Sequence, residues 1–160
     1  MLGMSLQTFT LFHVIICLIG IASGFVVVIG FLTAKRFNLS TAIFFITNIA
    51  TSVTGFMFPF TGLKPSYVVG TLALIVLVIG LVARYSKGMA GGWRATYVIT
   101  SIIALYFNVF VLVVQSFEKV SSLHALAPTQ SEPPFAIAQG IVLVLFIVLG
   151  VLSVKRFRPV

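Results

Sequence analysis

The sequence predicts an all-α integral membrane protein. We expect one transmembrane domain spanning residues 1–160, a bundle of five transmembrane helices, with the N-terminus outside and the C-terminus cytoplasmic. Three observations predict it. First, 60% of the residues are hydrophobic, 8% are charged and the mean hydropathy is +1.23. A soluble domain carries about 25% charged residues, so this chain cannot cover a water-facing surface. Second, five segments approach or exceed the roughly 20 apolar residues that cross a hydrocarbon core. Third, the basic residues are segregated between the two ends of those segments.

The elements follow in chain order. Residues 11–33 form the first expected span. No basic region precedes it, it is long for a signal peptide, and it runs into Lys35 and Arg36, so it is expected to stay as a helix. The second span, 39–60, carries Ser40, Thr41, Thr47, Asn48, Thr51, Ser52 and Thr54. Serine and threonine hydroxyls can bond their own helix backbone, so insertion is still permitted. Asn38 or Ser40 offers an N-cap, and Pro59 should kink the helix near its outer end, either opening a cleft or merely ending the helix. Pro65 is a start signal for the third span, 66–84. A glycine-rich loop with Trp93 as an interfacial anchor leads into the fourth, 95–117. The external loop 118–134 holds both acids of the chain, Glu118 and Glu132, and three of its six prolines. Its tail prepares the fifth span, 135–154, with Ser131 as cap, Glu132 near the positive helix end and Pro133–Pro134 in the first turn.

Charge sets the orientation. With five spans, one side receives Lys35, Arg36, Arg84, Lys87, Arg94, Lys155, Arg156 and Arg158, and the other receives only Lys64 and Lys119. Eight basic residues against two is a strong positive-inside bias. It points to a multi-pass protein of a cell inner membrane. A net charge of +8 in a soluble protein would suggest nucleic acid. Here the cations end apolar runs and no basic patch is interleaved with exposed aromatics, so no nucleic-acid partner is expected.

Helical spacing assigns the inward faces. The first span aligns His13, Cys17, Gly20 and Gly24, and the second repeats Thr41, Asn48 and Gly55 with Thr47, Thr51 and Thr54 beside them. The third offers Gly70, Ala73, Leu77 and Gly80; the fourth Tyr97, Ser101, Ala104, Asn108, Val111 and Gln115; the fifth Gln139, Leu143, Phe146, Gly150 and Ser153. Lipid tails cannot satisfy small and polar residues, so these faces should meet one another. Gly20, Gly24, Asn48 and Asn108 are the expected packing residues. His13, Thr54, Gln115 and Gln139 should lie about one or two turns below the outer surface, with His124 and Gln130 hanging over them from the loop. Those six residues are the expected ligand-binding set, with His13 buried and hydrogen-bonded to Gln115, Gln139 or a loop carbonyl.

No Asp, Glu, Lys or Arg lies mid-span, which argues against ion-coupled transport, proton pumping and voltage sensing. Nucleotide-loop, zinc-hydrolase and serine-hydrolase motifs are missing, so the reading leans away from an enzyme. Cys17 is the single cysteine, so an internal disulfide is impossible. No metal site is expected and no cofactor is specified. At "ALYFNVFVLVVQSF", "LAPTQSEPPF" and "TSVTGFMFPF" the chain resembles a family of uncharacterised small polytopic membrane proteins of proteobacteria. The resemblance implies the same membrane class and no activity.

The expected function is that of a small inner-membrane binding or accessory protein. A polar outer-leaflet cavity under the loop would hold a lipid, a quinone or a similar small ligand, or the protein would dock to a larger membrane complex. Two alternatives stand beside it: a redox subunit with haem or metal on His13, and an oligomeric pore for a neutral solute along the hydroxyl-rich second span.

Overall fold

Ser5 opens the first helix. Its hydroxyl accepts the Thr8 N–H at 3.2 Å, satisfying one of the unpaired N–H groups of a helix start. The helix it caps, α1, runs Leu6–Leu32 and begins one turn earlier than hydropathy alone suggests. In the computed structural model, which describes residues 3–59, 62 and 65–158, the order continues with α2 (Asn38–Phe56), α3 (Pro65–Leu81), α4 (Trp93–Lys119), α5 (Ser121–Leu126) and α6 (Pro133–Arg156). Every element among the described residues is helical. Five helices are long and apolar enough to cross a membrane, α3 counting with the turn that extends it to Ser86. Phe60, Lys64 and Val160 lie outside the described residues.

Helix ends depart from the sequence reading for local reasons. Phe37 stands at the N-cap of α2 and makes no side-chain cap bond. Asn38 does not cap, because its Oδ1 accepts from Arg84 Nη2 at 2.6 Å. Pro59 ends α2 instead of kinking it: the helix stops at Phe56 with Met57 as C-cap, since the residue before a proline is pushed out of the α region. Glu132, not Ser131, is the N-cap of α6, with prolines at the first two helical positions. The Ser131 N–H is turned to the Glu132 carboxylate at 3.0 Å.

The five long helices alternate in direction, and α1–α4 form the packed body. The most extensive contacts join α1 to α2, then α3 to α4 and α4 to α6. Glycines set these distances. A Cβ on Gly24 would stand 2.6 Å from Leu105 Cδ1 and 3.0 Å from the Phe44 ring, and one on Gly80 would stand 2.9 Å from Thr100 Oγ1. Gly20 lets Asn48 and Thr47 of α2 come within 3.0 and 3.1 Å of the same hypothetical carbon. Asn48 then donates to the Phe44 carbonyl at 2.7 Å and accepts from the Asn108 amide, joining α2 to α4. Such interhelical bonds contribute about 0.6–2 kcal/mol in a membrane.

The expected faces of α1 to α4 are the buried or half-buried ones. On α6, Phe146 and Ser153 are buried as expected, but Leu143 is 45% exposed, because α6 packs chiefly on α4 and leaves most of its surface uncovered. The aromatic core sits at one end of the bundle. There Phe31 meets Tyr97 edge-on at 5.3 Å and Phe157 at 4.9 Å, and Phe45 stacks on Tyr97 at 6.4 Å.

That same end gathers the cations. Arg94 Nη1 donates to the Val154 carbonyl at 2.9 Å and to the Phe157 carbonyl at 2.5 Å, holding the end of α6 against the start of α4. Arg84 sits in a π-helical turn, Val82–Ser86, that continues α3. It is only 9% exposed. Its guanidinium donates to Tyr97 Oη at 3.1 Å and to Asn38, and lies 5.1 Å from the Tyr97 ring centre.

Candidate functional site

At the other end of the bundle the packing loosens around polar groups. His13, two turns into α1, points at α2. Its Nδ1 is 2.8 Å from Thr54 Oγ1, and its ring meets Phe58 edge-on at 5.2 Å. Phe58 in turn packs on Phe9, which is fully buried, at 4.9 Å. Gly55 lies next to this pair: a Cβ there would sit 3.8 Å from His13 Cε1, an ordinary contact. The ring is thus fixed by a hydrogen bond to Thr54 and by aromatic packing with Phe58.

A cavity of about 100 Å³ opens beside it, walled by α1 to α4. His13 and Cys17 line it from α1, Thr51 and Ser52 from α2, Gly70 from α3 and Asn108 from α4. Two of its polar groups are unspent. His13 Nε2 makes no hydrogen bond among the described residues. Thr51 Oγ1 is buried and has no partner among the described residues. Every other threonine hydroxyl in α2 is bonded: Thr41 to Tyr97, Thr47 to the Ile43 carbonyl, and Thr54 to the Ala50 carbonyl. An unpartnered buried hydroxyl costs about 1–3 kcal/mol unless something else completes it.

The six residues expected to form one cluster separate into two groups. His13 and Thr54 pair directly. His124, Gln130 and Gln139 instead fasten the loop and α6 to α4, and Gln115 bonds within α4. Gln130 Nε2 donates to the Val114 carbonyl at 3.1 Å, and Gln139 Nε2 to the Phe110 carbonyl, one turn away, at 3.1 Å. His124 Nδ1 is 3.3 Å from the Phe117 carbonyl, and Gln115 reaches Glu118 on its own helix at 3.4 Å. The loop folds as α5 and packs chiefly on α4. The partner of His13 is therefore Thr54, because Gln139 is held by the Phe110 carbonyl and Gln115 by the Glu118 carboxylate. Gln139 Oε1 and the Ser101 and Ser153 hydroxyls, on α4 and α6, are likewise buried without a partner among the described residues.

The loop is also held from within. Glu132 accepts from the Thr129 hydroxyl at 2.8 Å and from the N–H groups of Thr129 and Ser131. Some loss of hydration pushes this carboxyl up, but those hydrogen bonds outweigh it and hold the group below the usual carboxylate range.

The sequence reading missed Thr51, Ser52 and Cys17 as cavity residues. The signal for Thr51 was present: it lies one turn from Thr54 and beside the inward Asn48. A larger groove of about 450 Å³ runs between α4 and α6, bounded by Ile102, Phe146 and Gly150. Its walls are apolar apart from Tyr106 and Lys155, so it offers a shape for a hydrocarbon chain with little to orient a polar head. No group of three or more His, Cys, Asp or Glu residues is placed to hold a metal among the described residues. No protein-family model, curated protein or solved structure matches the chain.

Proposed function

We propose that this is a ligand-binding protein of a cell inner membrane, which takes the polar head of a small amphiphile, a lipid or a quinone-like molecule, into the cavity between α1 and α4. The observation that carries the reading is a cavity lined by His13, whose Nε2 makes no hydrogen bond among the described residues, and by Thr51, whose buried hydroxyl also has no partner among them. Ligand sites combine apolar walls with a few convergent polar groups, and polar side chains at membrane depth face a cavity or a partner. A cavity of about 100 Å³ is smaller than the roughly 150 Å³ that accepts benzene. It suits a head group, with the tail left among the helices or in lipid.

The proposed orientation places the N-terminus and the His13 end outside and the aromatic, cation-rich end in the cytoplasm. The support is the eight-to-two division of basic residues. The loop 118–134 then lies outside and fixes α4 against α6, so its part in binding is to hold the wall helix α4 in place. A function within a larger complex is compatible with the lipid-facing surface of α6.

The test is retention of small molecules by protein purified in mild detergent, read by mass spectrometry after solvent extraction. Wild type should retain an amphiphile at about one per chain. Gly55→Leu, which projects beside His13 into the cavity, should lose it while keeping the fold. Identical retained molecules in both proteins would remove the cavity as the site. A visible absorption spectrum of the same sample addresses haem on His13, the alternative favoured by the open Nε2: a Soret band would replace the amphiphile reading.

A further inference from the structure

The hydrogen bonds around His13 fix the polarity of what the cavity can hold. This deepens the binding proposal and rests on it. The Thr54 hydroxyl has one proton, and that proton is directed into its own helix, at the Ala50 carbonyl 2.7 Å away and the Thr51 carbonyl 3.2 Å away. Toward His13, Thr54 Oγ1 can then only accept. The 2.8 Å contact therefore requires the proton on Nδ1. A neutral imidazole carries one N–H, so Nε2 is a bare lone pair. The imidazole is neutral because nothing nearby would balance its charge. The two acids of the chain are engaged elsewhere, Glu118 in the last turn of α4 with Gln115 and Glu132 at the start of α6 with Thr129 and Ser131, and a cation without a counter-charge away from water is disfavoured.

Thr51 lines the same cavity, and its hydroxyl is buried with no partner among the described residues. We infer that the ligand is a hydroxyl-headed amphiphile: a long-chain or isoprenoid alcohol, or the reduced, hydroxyl form of a quinone. Its O–H donates to His13 Nε2 and its oxygen accepts from Thr51. A head with only carbonyl or ether oxygens has no proton for Nε2 and leaves the lone pair unpaired. Sites built around such a group discriminate by the loss of that bond. Thr54 is a positioning residue in this scheme: it touches the imidazole, not the ligand, and selects which nitrogen faces the cavity bare.

Nitrogen NMR of isotope-labelled histidine in detergent-solubilised full-length protein tests both steps, with His124 as the internal reference. Without ligand, His13 should show Nδ1 protonated and Nε2 bare. The probes are decanol and decyl fluoride, which match in shape while only the alcohol donates a hydrogen bond. Decanol should move the Nε2 resonance and bind roughly fivefold tighter, or more, as expected for one hydrogen bond. Thr54→Val should mix the tautomers and shrink that preference, and Thr54→Ser should restore it. A protonated Nε2, or equal affinity for the two probes, overturns the polarity assignment and leaves the cavity as a binding site. Binding of neither probe by protein that shows the expected tautomer overturns the binding proposal, and this inference with it.

Discussion

Gly24 gives the most direct handle on how α1 is held. Its position admits no side chain: a Cβ would lie 2.6 Å from Leu105 Cδ1 and 3.0 Å from two atoms of the Phe44 ring. Carbon atoms in contact prefer about 3.5–4.0 Å, so the overlap with Leu105 approaches 1 Å. Leu105 could swing away if there were room, but it is 0% exposed and Phe44 only 1%. Overpacking of this kind costs about 1–3 kcal/mol. Against it, Gly→Ala in a helix interior gains about 0.8–1.0 kcal/mol. Gly24→Ala should therefore be neutral to destabilising by about 2 kcal/mol, and Gly24→Leu should lie at or above the upper end of the overpacking range. Gly140 supplies the control: it is mid-helix in α6 and has no neighbour within 4 Å of a built Cβ. Gly140→Ala should show the propensity gain alone. Thermal unfolding in one detergent, read by helical circular dichroism, compares the variants. Equal shifts for Gly24→Ala and Gly140→Ala would refute the claim that α1 approaches α2 and α4 through Gly24.

Other expectations follow from individual contacts. A double-mutant cycle on Asn48→Ala and Asn108→Ala should return a coupling of about 0.6–2 kcal/mol in detergent unfolding; additive effects would mean that the two amides do not bond. Glu132 has its folded pKa lowered by its hydrogen bonds, so its contribution to the loop is full at neutral pH, above the usual carboxylate range. That contribution is lost as the pH falls through the lowered folded value. Hydrogen exchange of the Thr129 and Ser131 amides should be faster in Glu132→Gln than in wild type at neutral pH, and the difference should vanish in acid; a difference unchanged by pH would contradict this. For orientation, single cysteines in a Cys17→Ala background should label from the cytoplasm at Gly91 and from outside at Thr129. Both on one side would end the five-span arrangement.

Much of the fold was legible because lipid makes a simple demand. Apolar length marks spans, and the small and polar residues that lipid cannot satisfy mark the faces that meet. His13, Gly20 and Gly24 on α1, Asn48 on α2 and Asn108 on α4 were placed by that rule alone, and all five sit on the inward side of the bundle. Helix ends were less legible, because they depend on tertiary partners. Asn38 looked like a cap, yet Arg84, forty-six residues away, takes its oxygen. Arg84 itself looked like one more surface cation at the end of a span. Its burial depends on Tyr97, which arrives from a different helix. The cavity was half legible. Depth and helical face brought His13 to the level of Thr54, Gln115 and Gln139, but spacing cannot say which polar neighbour a side chain will choose. Gln130 and Gln139 chose the α4 backbone, leaving His13 to Thr54 and Thr51 to the cavity.

The central claim is that the bundle keeps an open polar cavity at His13 for the head of a hydroxyl-bearing amphiphile. A high-resolution density map of the full-length protein, purified in mild detergent and returned to a lipid bilayer, tests it most directly. The account predicts continuous density between α1 and α4 that touches both His13 Nε2 and Thr51 Oγ1, with His13 Nδ1 on Thr54. A map in which His13 faces the lipid, or in which side chains close the space between His13 and Thr51, would contradict it.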